Sequence, residues 1–132
     1  MSLSDEERSI VVELEMEKAH VAYNETIWLM EKESWSGAAG RLYYALFHAV
    51  SALLIHGHHP VNSHKGSHIL FGNYYIRTGR LPKEYGTIYS QMEAIREEGE
   101  YNCTYKVTQD ELQQKLPLAK EMIDTIAAMV KE

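Results

Sequence analysis

Ala38-Ala39-Gly40-Arg41-Leu42-Tyr43-Tyr44-Ala45-Leu46-Phe47-His48-Ala49-Val50-Ser51-Ala52-Leu53-Leu54 is an apolar run carrying one arginine and one histidine seven positions apart. At about 3.6 residues per turn, Arg41, Tyr44, Ala45, His48 and Ala52 share one helical face, and Leu42, Phe47, Val50 and Leu54 spread round the rest. A helix that is apolar nearly all round is buried nearly all round, so this segment predicts the centre of a small helical bundle.

The flanking sequence supplies the other helices. Ser4 followed by Glu7 is a capping box, and apolar positions from Ile10 through Val11, Leu14, Ala19, Ala22 and Tyr23 to Ile27 and Met30 sustain a long amphipathic helix ending near Lys32. Ser34 or Ser36 starts the central helix, which runs to about His56, where Gly57 and Pro60 stop it. After the loop Gly57-His58-His59-Pro60-Val61-Asn62, Ser63 reads as the N-cap of a third helix through Ile69, Leu70, Tyr74 and Tyr75 to Arg77, closed by Gly79. Pro82 suits the first turn of a fourth helix through Tyr85, Ile88, Tyr89, Met92 and Ile95 to about Glu98, with Gly99 as its end. Glu100 to Val107 reads as a loop. Thr108 and Glu111 form a second capping box, opening a last helix that Pro117 is expected to kink or break. No strand, repeat or low-complexity tract interrupts this pattern. The expectation is an all-α, up-and-down bundle of about five helices in a single domain, 1–132.

Composition narrows the function classes. A chain of 132 residues buries about two-thirds of its unfolded surface, and 45% hydrophobic with 24% charged residues is ordinary for a globular domain. The apolar runs read as too short for the roughly 18 residues of a membrane span. The start Met1-Ser2-Leu3-Ser4-Asp5-Glu6-Glu7-Arg8 lacks the basic-then-apolar profile of a secretory signal, and the single Cys103 fits a reducing compartment, so a cytoplasmic location is expected, with no membrane partner. A net charge of −6 argues against a broad electrostatic grip on nucleic acid. Any RNA contact has to be local. The one modest basic concentration, Lys65, Arg77, Arg80 and Lys83, reads as the solvated end of a helix and its loop.

Four pieces of sequence resemble the HEPN domain family: Arg41-Leu42-Tyr43-Tyr44-Ala45-Leu46-Phe47-His48; Ser63-His64-Lys65-Gly66 leading to Phe71; Thr78-Gly79-Arg80-Leu81-Pro82; and Arg96-Glu97-Glu98-Gly99-Glu100-Tyr101. Their order and spacing make the resemblance extend over nearly the whole chain. It implies a HEPN-like four-helix core plus a short additional helix, pairing into a homodimer with a polar cleft at the interface. Members are often encoded beside a minimal nucleotidyltransferase. Catalytic members are metal-independent ribonucleases that use an arginine and, four to six residues on, a histidine near a late helix. Arg96 matches that arginine, but Tyr101 stands where the histidine is expected. A phenol with a pKa near 10 shuttles protons poorly at neutral pH beside an imidazole near 6.5.

Arg41 and His48 have a similar spacing on a continuous helix, with Cα atoms about 10.5 Å apart along the axis. They can converge on a ligand, Arg41 holding a phosphate while His48, with Tyr44 one turn away, acts as acid or base. The structural alternative pairs Arg41 with Glu17 or Glu25 and leaves His48 hydrogen-bonded within the core. The candidate catalytic groups are thus Arg96, Tyr101, Arg41 and His48, and the candidate ligand contacts are Arg41, Tyr44, His48, His64, Arg96 and Tyr101.

Six of the seven histidines lie at 48, 56, 58, 59, 64 and 68, and His64 with His68 could place two imidazoles on one helix face, joined by His58 or His59 as metal ligands. No acidic residue lies between Glu33 and Glu84, and the spacing matches no established metal motif, so no metal and no cofactor are expected. Nine tyrosines could stack bases, though they read better as packing residues at a core edge or a dimer interface, and Met16, Met30, Met92, Met122 and Met129 as core fillers. Three functions remain open. The favoured one is a non-catalytic HEPN-type binding module, partner or substrate-binding subunit of a minimal nucleotidyltransferase in a toxin-antitoxin system. The alternatives are a metal-independent endoribonuclease toxin and a nucleotide or small-ligand binding protein.

Overall fold

The computed structural model describes residues 2–61 and 63–132; Met1, and Asn62 in the loop read above, lie outside them. Five α-helices follow one another: α1 (Asp5–Glu31), α2 (Trp35–His56), α3 (His64–Phe71), α4 (Lys83–Tyr101) and α5 (Gln109–Met129), with a π-helical turn, Gly72–Ile76, continuing α3. Among the described residues there is no strand.

Local chemistry sets most of the boundaries. Ser4 Oγ accepts from the Glu7 N–H at 3.1 Å while Glu7 Oε1 accepts from the Ser4 N–H at 2.8 Å, closing the first capping box. Thr108 and Glu111 close the second. Ser63 Oγ accepts the Gly66 N–H at 2.9 Å and starts α3. Ser34 precedes α2 but makes no side-chain cap; its N–H donates instead to the Leu29 carbonyl at 2.8 Å, tying the tight α1–α2 turn. Gly79 takes φ +76°, a left-handed conformation that favours glycine, in the turn before α4.

Three boundaries depart from the sequence reading. Gly99 does not end α4, which continues to Tyr101 and closes on Asn102, whose N–H donates to the Glu98 carbonyl at 3.0 Å. Glycine lowers the cost of leaving a helix but does not force it; inside one it costs about 1 kcal/mol relative to alanine. Pro117 does not break α5, which is helical from Gln109 to Met129. Pro117 is exposed, so the Gln113 carbonyl it leaves without an N–H partner lies on the solvent side. The predicted third helix changes hand-over at Gly72, where the Arg77 N–H reaches back five residues to the Gly72 carbonyl at 2.9 Å.

The core sits on α2, which packs against α1 along its length and against α3, α4 and α5. Leu42, Tyr43, Ala45, Leu46, Ala49, Val50, Ala52, Leu53 and Leu54 are buried on it, facing Val12, Met16, Ala19 and Ala22 of α1, Ile88, Tyr89 and Met92 of α4, and Leu112, Met122, Ile123 and Ile126 of α5. One expectation needs correcting here. By length and composition α2 could cross a membrane, since an 18-residue window has mean hydropathy 1.3; 67% of that window is nevertheless buried inside the bundle. Another concerns the tyrosines: Tyr43, Tyr75, Tyr85 and Tyr89 are fully within the core, while Tyr74 and Tyr101 are exposed. The methionines fill the core as read, with Met16, Met92 and Met122 buried and Met30 and Met129 packed against it, and the exposed apolar side chains include Ile10, Leu14, Val21 and Trp28 along α1.

Candidate functional site

One face of the bundle gathers side chains from four helices around Tyr44. Arg41, Tyr44 and His48 stand one turn apart on α2; Arg96 reaches over from α4, His64 from the first turn of α3, and Glu15 and Glu25 from α1. The Arg41 guanidinium lies 4.7 Å from the Tyr44 ring centre, and that of Arg96 lies 5.4 Å from Tyr44 and 5.2 Å from Tyr43. Two cations thus share one aromatic ring, each contact contributing on the order of 1 kcal/mol.

Arg96 is largely shielded yet only partly satisfied. Its Nη2 donates to the Tyr44 hydroxyl at 3.5 Å, Glu100 Oε1 stands 3.3 Å from Nε, and Nε itself is buried without a hydrogen bond. Burial disfavours the guanidinium charge, but Tyr44, Glu100, Tyr43 and Tyr101 around it more than offset this and hold its pKa above the ordinary value. It stays a cation, and the Nη groups, not the buried Nε, are the donors it can turn toward an anionic ligand. Arg41 pairs with Glu25 at 3.6 Å, both side chains being 40% or more exposed, so that pair contributes little to stability and leaves Arg41 free to engage a ligand.

The two histidines of the face are set differently. His48 Nδ1 meets Glu15 Oε2 at 2.7 Å, which places the proton on Nδ1 and leaves Nε2 as the basic nitrogen. The ring is half-buried at the groove wall, not sealed in the core. His64 Nδ1 lies 2.8 Å from the Tyr43 hydroxyl, and its ring stacks on Phe47 at 4.0 Å. Burial, reinforced by Glu93, pushes the Tyr43 pKa up to about 12, so that hydroxyl keeps its proton and donates it to Nδ1. Burial, with Arg96 next, lowers the His64 pKa below 6.5, so the imidazole is neutral at pH 7. Leu14, Glu17, Val21 and Glu25 of α1 complete, with Arg41, Tyr44 and His48, an open groove of about 530 Å³.

The structure therefore brings together Arg41, Tyr44, His48, His64 and Arg96 from the sequence-derived candidates. Tyr101 stands at the last residue of α4, 82% exposed and close enough to Arg96 to raise its pKa. The metal grouping does not form. His64 is committed to Tyr43, both nitrogens of His68 are taken by Glu93 and Ser90, His59 stacks on Tyr74, and His58 is exposed. Among the described residues no group of three or more histidine, cysteine or acidic side chains is placed to hold a metal ion. Sequence reasoning missed Glu15 and Tyr43 as site residues. Tyr43 carried a signal, as half of the Tyr43-Tyr44 pair; Glu15 carried none, because its partner lies 33 positions away.

A family model described as the HEPN domain matches residues 12–129, from the second turn of α1 to the end of α5. The chain belongs to the HEPN domain family. Relatives at full or near-full length include a UPF0332 protein of Thermotoga maritima, 26% identical over 126 residues that make up 96% of each chain. A protein of Methanocaldococcus jannaschii named as a candidate toxin is 31% identical over 104 residues, 79% of this chain and 77% of that one. A second protein so named from the same organism is 27% identical over 96 residues, 73% of this chain and 65% of that one. On the HEPN frame, Arg96 stands near the end of the late helix α4, with the α2 face opposite it.

Proposed function

We propose that this HEPN chain is a non-catalytic binding module of a toxin-antitoxin pair, acting in the cytoplasm as the partner or substrate-binding subunit of a minimal nucleotidyltransferase. Its ligand is the phosphate of a nucleotide or of single-stranded RNA, received on the Arg41–Tyr44–Arg96 face. The observation that carries this reading is the state of Arg96: a shielded guanidinium with unspent donors, set against two aromatic rings, and followed at position 101 by an exposed tyrosine in place of a proton shuttle. Such a group binds anions well and transfers protons poorly. The exposed run Glu97, Glu98, Gly99 and Glu100 adds negative charge beside it, which favours a short ligand over a long RNA. Membership of a family whose relatives include proteins named as candidate toxins supports the toxin-antitoxin setting.

A homodimer is part of this reading. The exposed apolar side chains Leu14, Val21 and Trp28 recur every seven residues on α1, and Leu14 and Val21 line the same groove as Arg41 and His48. A second copy seated on that stripe sets the two grooves side by side. Light scattering at tens of micromolar is expected to give twice the chain mass and Trp28→Glu to lower it; a monomeric wild type overturns the dimer.

The binding test is fluorescence anisotropy of a labelled oligoribonucleotide in EDTA, alongside a gel of the same RNA. Binding that weakens at least tenfold in Arg96→Ala, over intact RNA, supports the module. A tagged chain is expected to co-purify with a nucleotidyltransferase from its own cells. A second reading, a metal-independent endoribonuclease, is favoured by one observation, the Glu15–His48 pair beside Arg41. RNA cleavage in EDTA that Arg41→Ala and His48→Ala both abolish would establish it and displace the first.

A further inference from the structure

On the side of α4 that carries Ser90, three residues, none of them a candidate of the Tyr44 face, form a relay. Glu93 Oε2 lies 2.6 Å from His68 Nδ1, and His68 Nε2 lies 3.0 Å from Ser90 Oγ. The Glu93 carboxylate accepts a hydrogen bond from the Nδ1–H of His68, which leaves Nε2 as the acceptor for the serine hydroxyl. His68 cannot easily rotate out of line, because its ring lies on the Tyr89 ring at 4.9 Å and 14°. Ser90 itself is exposed and lines a groove of about 660 Å³ between α3, the π-helical turn and α4. Ile69, Phe71 and Ile76 give that groove its apolar wall, Gly86 keeps one side low, and Arg77 and Lys83 line it as well.

We infer that Ser90, His68 and Glu93 form a nucleophilic site for carboxylic esters with a short apolar acyl chain. The arrangement satisfies the roles of nucleophile, base and orienting carboxylate, which recur on unrelated folds. In the step proposed, the Ser90 Oγ–H proton passes to His68 Nε2 as Oγ bonds to the acyl carbon. Arg77 and Lys83 line the groove and bias its potential toward the negative charge that develops on the oxyanion. Collapse of the adduct breaks the acyl–oxygen bond, and His68 returns the proton to the departing alkoxide. Water, activated by the same imidazole, then releases the acid and restores Ser90. The acyl chain lies against the apolar wall. Two contacts on one helix make the relay economical: Ser90 and Glu93 are three residues apart on α4 and present the same face to His68.

The test uses the full chain with an alkyl fluorophosphonate and with p-nitrophenyl butyrate. A covalent adduct is expected on Ser90, mapped by mass spectrometry, with ester hydrolysis that Ser90→Ala removes. His68→Gln is expected to slow both reactions about 10²-fold, the usual worth of a positioned base. Because Ser90 is exposed, Ser90→Ala keeps the fold, which its circular dichroism melt verifies. Absence of an adduct on Ser90 in the folded wild type, or an ester-hydrolysis rate that Ser90→Ala leaves unchanged, overturns the site.

Discussion

Two partly buried histidines, His64 on the Tyr44 face and His59 against Tyr74, make folding stability depend on pH. The His64 pKa is lowered in the folded chain from 6.5, by burial first and by Arg96 next, so the unfolded chain takes up the proton more readily. Folding stability contributed by neutral His64 is therefore complete above about pH 6.5 and declines as the pH falls below it. His59, also lowered by burial and by Arg80, acts in the same direction. The melting temperature is expected to fall between pH 7.5 and 5.5, and to fall less in His64→Gln, whose amide oxygen still accepts from Tyr43. Equal slopes for the two proteins would disprove the assignment. The partner side of that contact can be tested with Tyr43→Phe, which removes the donor to His64 Nδ1 and is expected to cost about 1 kcal/mol by urea unfolding. Residue chemistry was only half legible beforehand. Arg41 with Glu25, and Arg96 as the late-helix arginine, could be named from spacing or resemblance; the Glu15 pairing with His48 could not, because nothing in the sequence fixes the rotation of α1 about α2.

At the scale of elements, the caps were legible and the interruptions were not. Both capping boxes and the Ser63 cap form as read, since each depends on residues within one turn. Thr108→Ala is expected to lower stability by about 1 kcal/mol, the ordinary cost of a lost N-cap. Gly99 was read as a stop and Pro117 as a kink or break, and both positions are helical, because the residues around them are held in register by their neighbours: Met92 and Ile95 before Gly99, Leu112 before Pro117, and Met122 and Ile123 after it, are all buried. Packing outweighs local propensity at such positions. Pro117→Ala, which restores an N–H to the Gln113 carbonyl, is accordingly expected to raise stability, by on the order of 1–3 kcal/mol in chemical denaturation. A decrease would show that the proline's restriction of the unfolded chain outweighs the hydrogen bond it removes.

For the whole molecule, stability rests on how completely α2 is enclosed. Leu46 lies at its centre, fully buried among helices it does not belong to, and Leu46→Ala is expected to cost about 2–5 kcal/mol, a large part of what a domain this size holds. Exposed positions of α1 such as Val21 should tolerate alanine within about 0.5 kcal/mol in dilute solution. At concentrations where the proposed dimer forms, Val21→Ala costs more, and the gap between the two measurements reports the interface.

The sequence by itself determined the all-α class, the number of helices, the central place of α2 and the family, because these follow from hydrophobic periodicity, local caps and residues in a fixed order. Tertiary structure alone decided which candidates meet. It brought Arg41, His48, His64 and Arg96 to one tyrosine pair, left Tyr101 in solvent, took His68 away to Glu93 and Ser90, and enclosed an α2 that by composition could have crossed a membrane. The reason is geometric: periodicity states which face of a helix is buried, whereas the partner across that face depends on helix rotation and crossing, fixed only when all five helices pack at once.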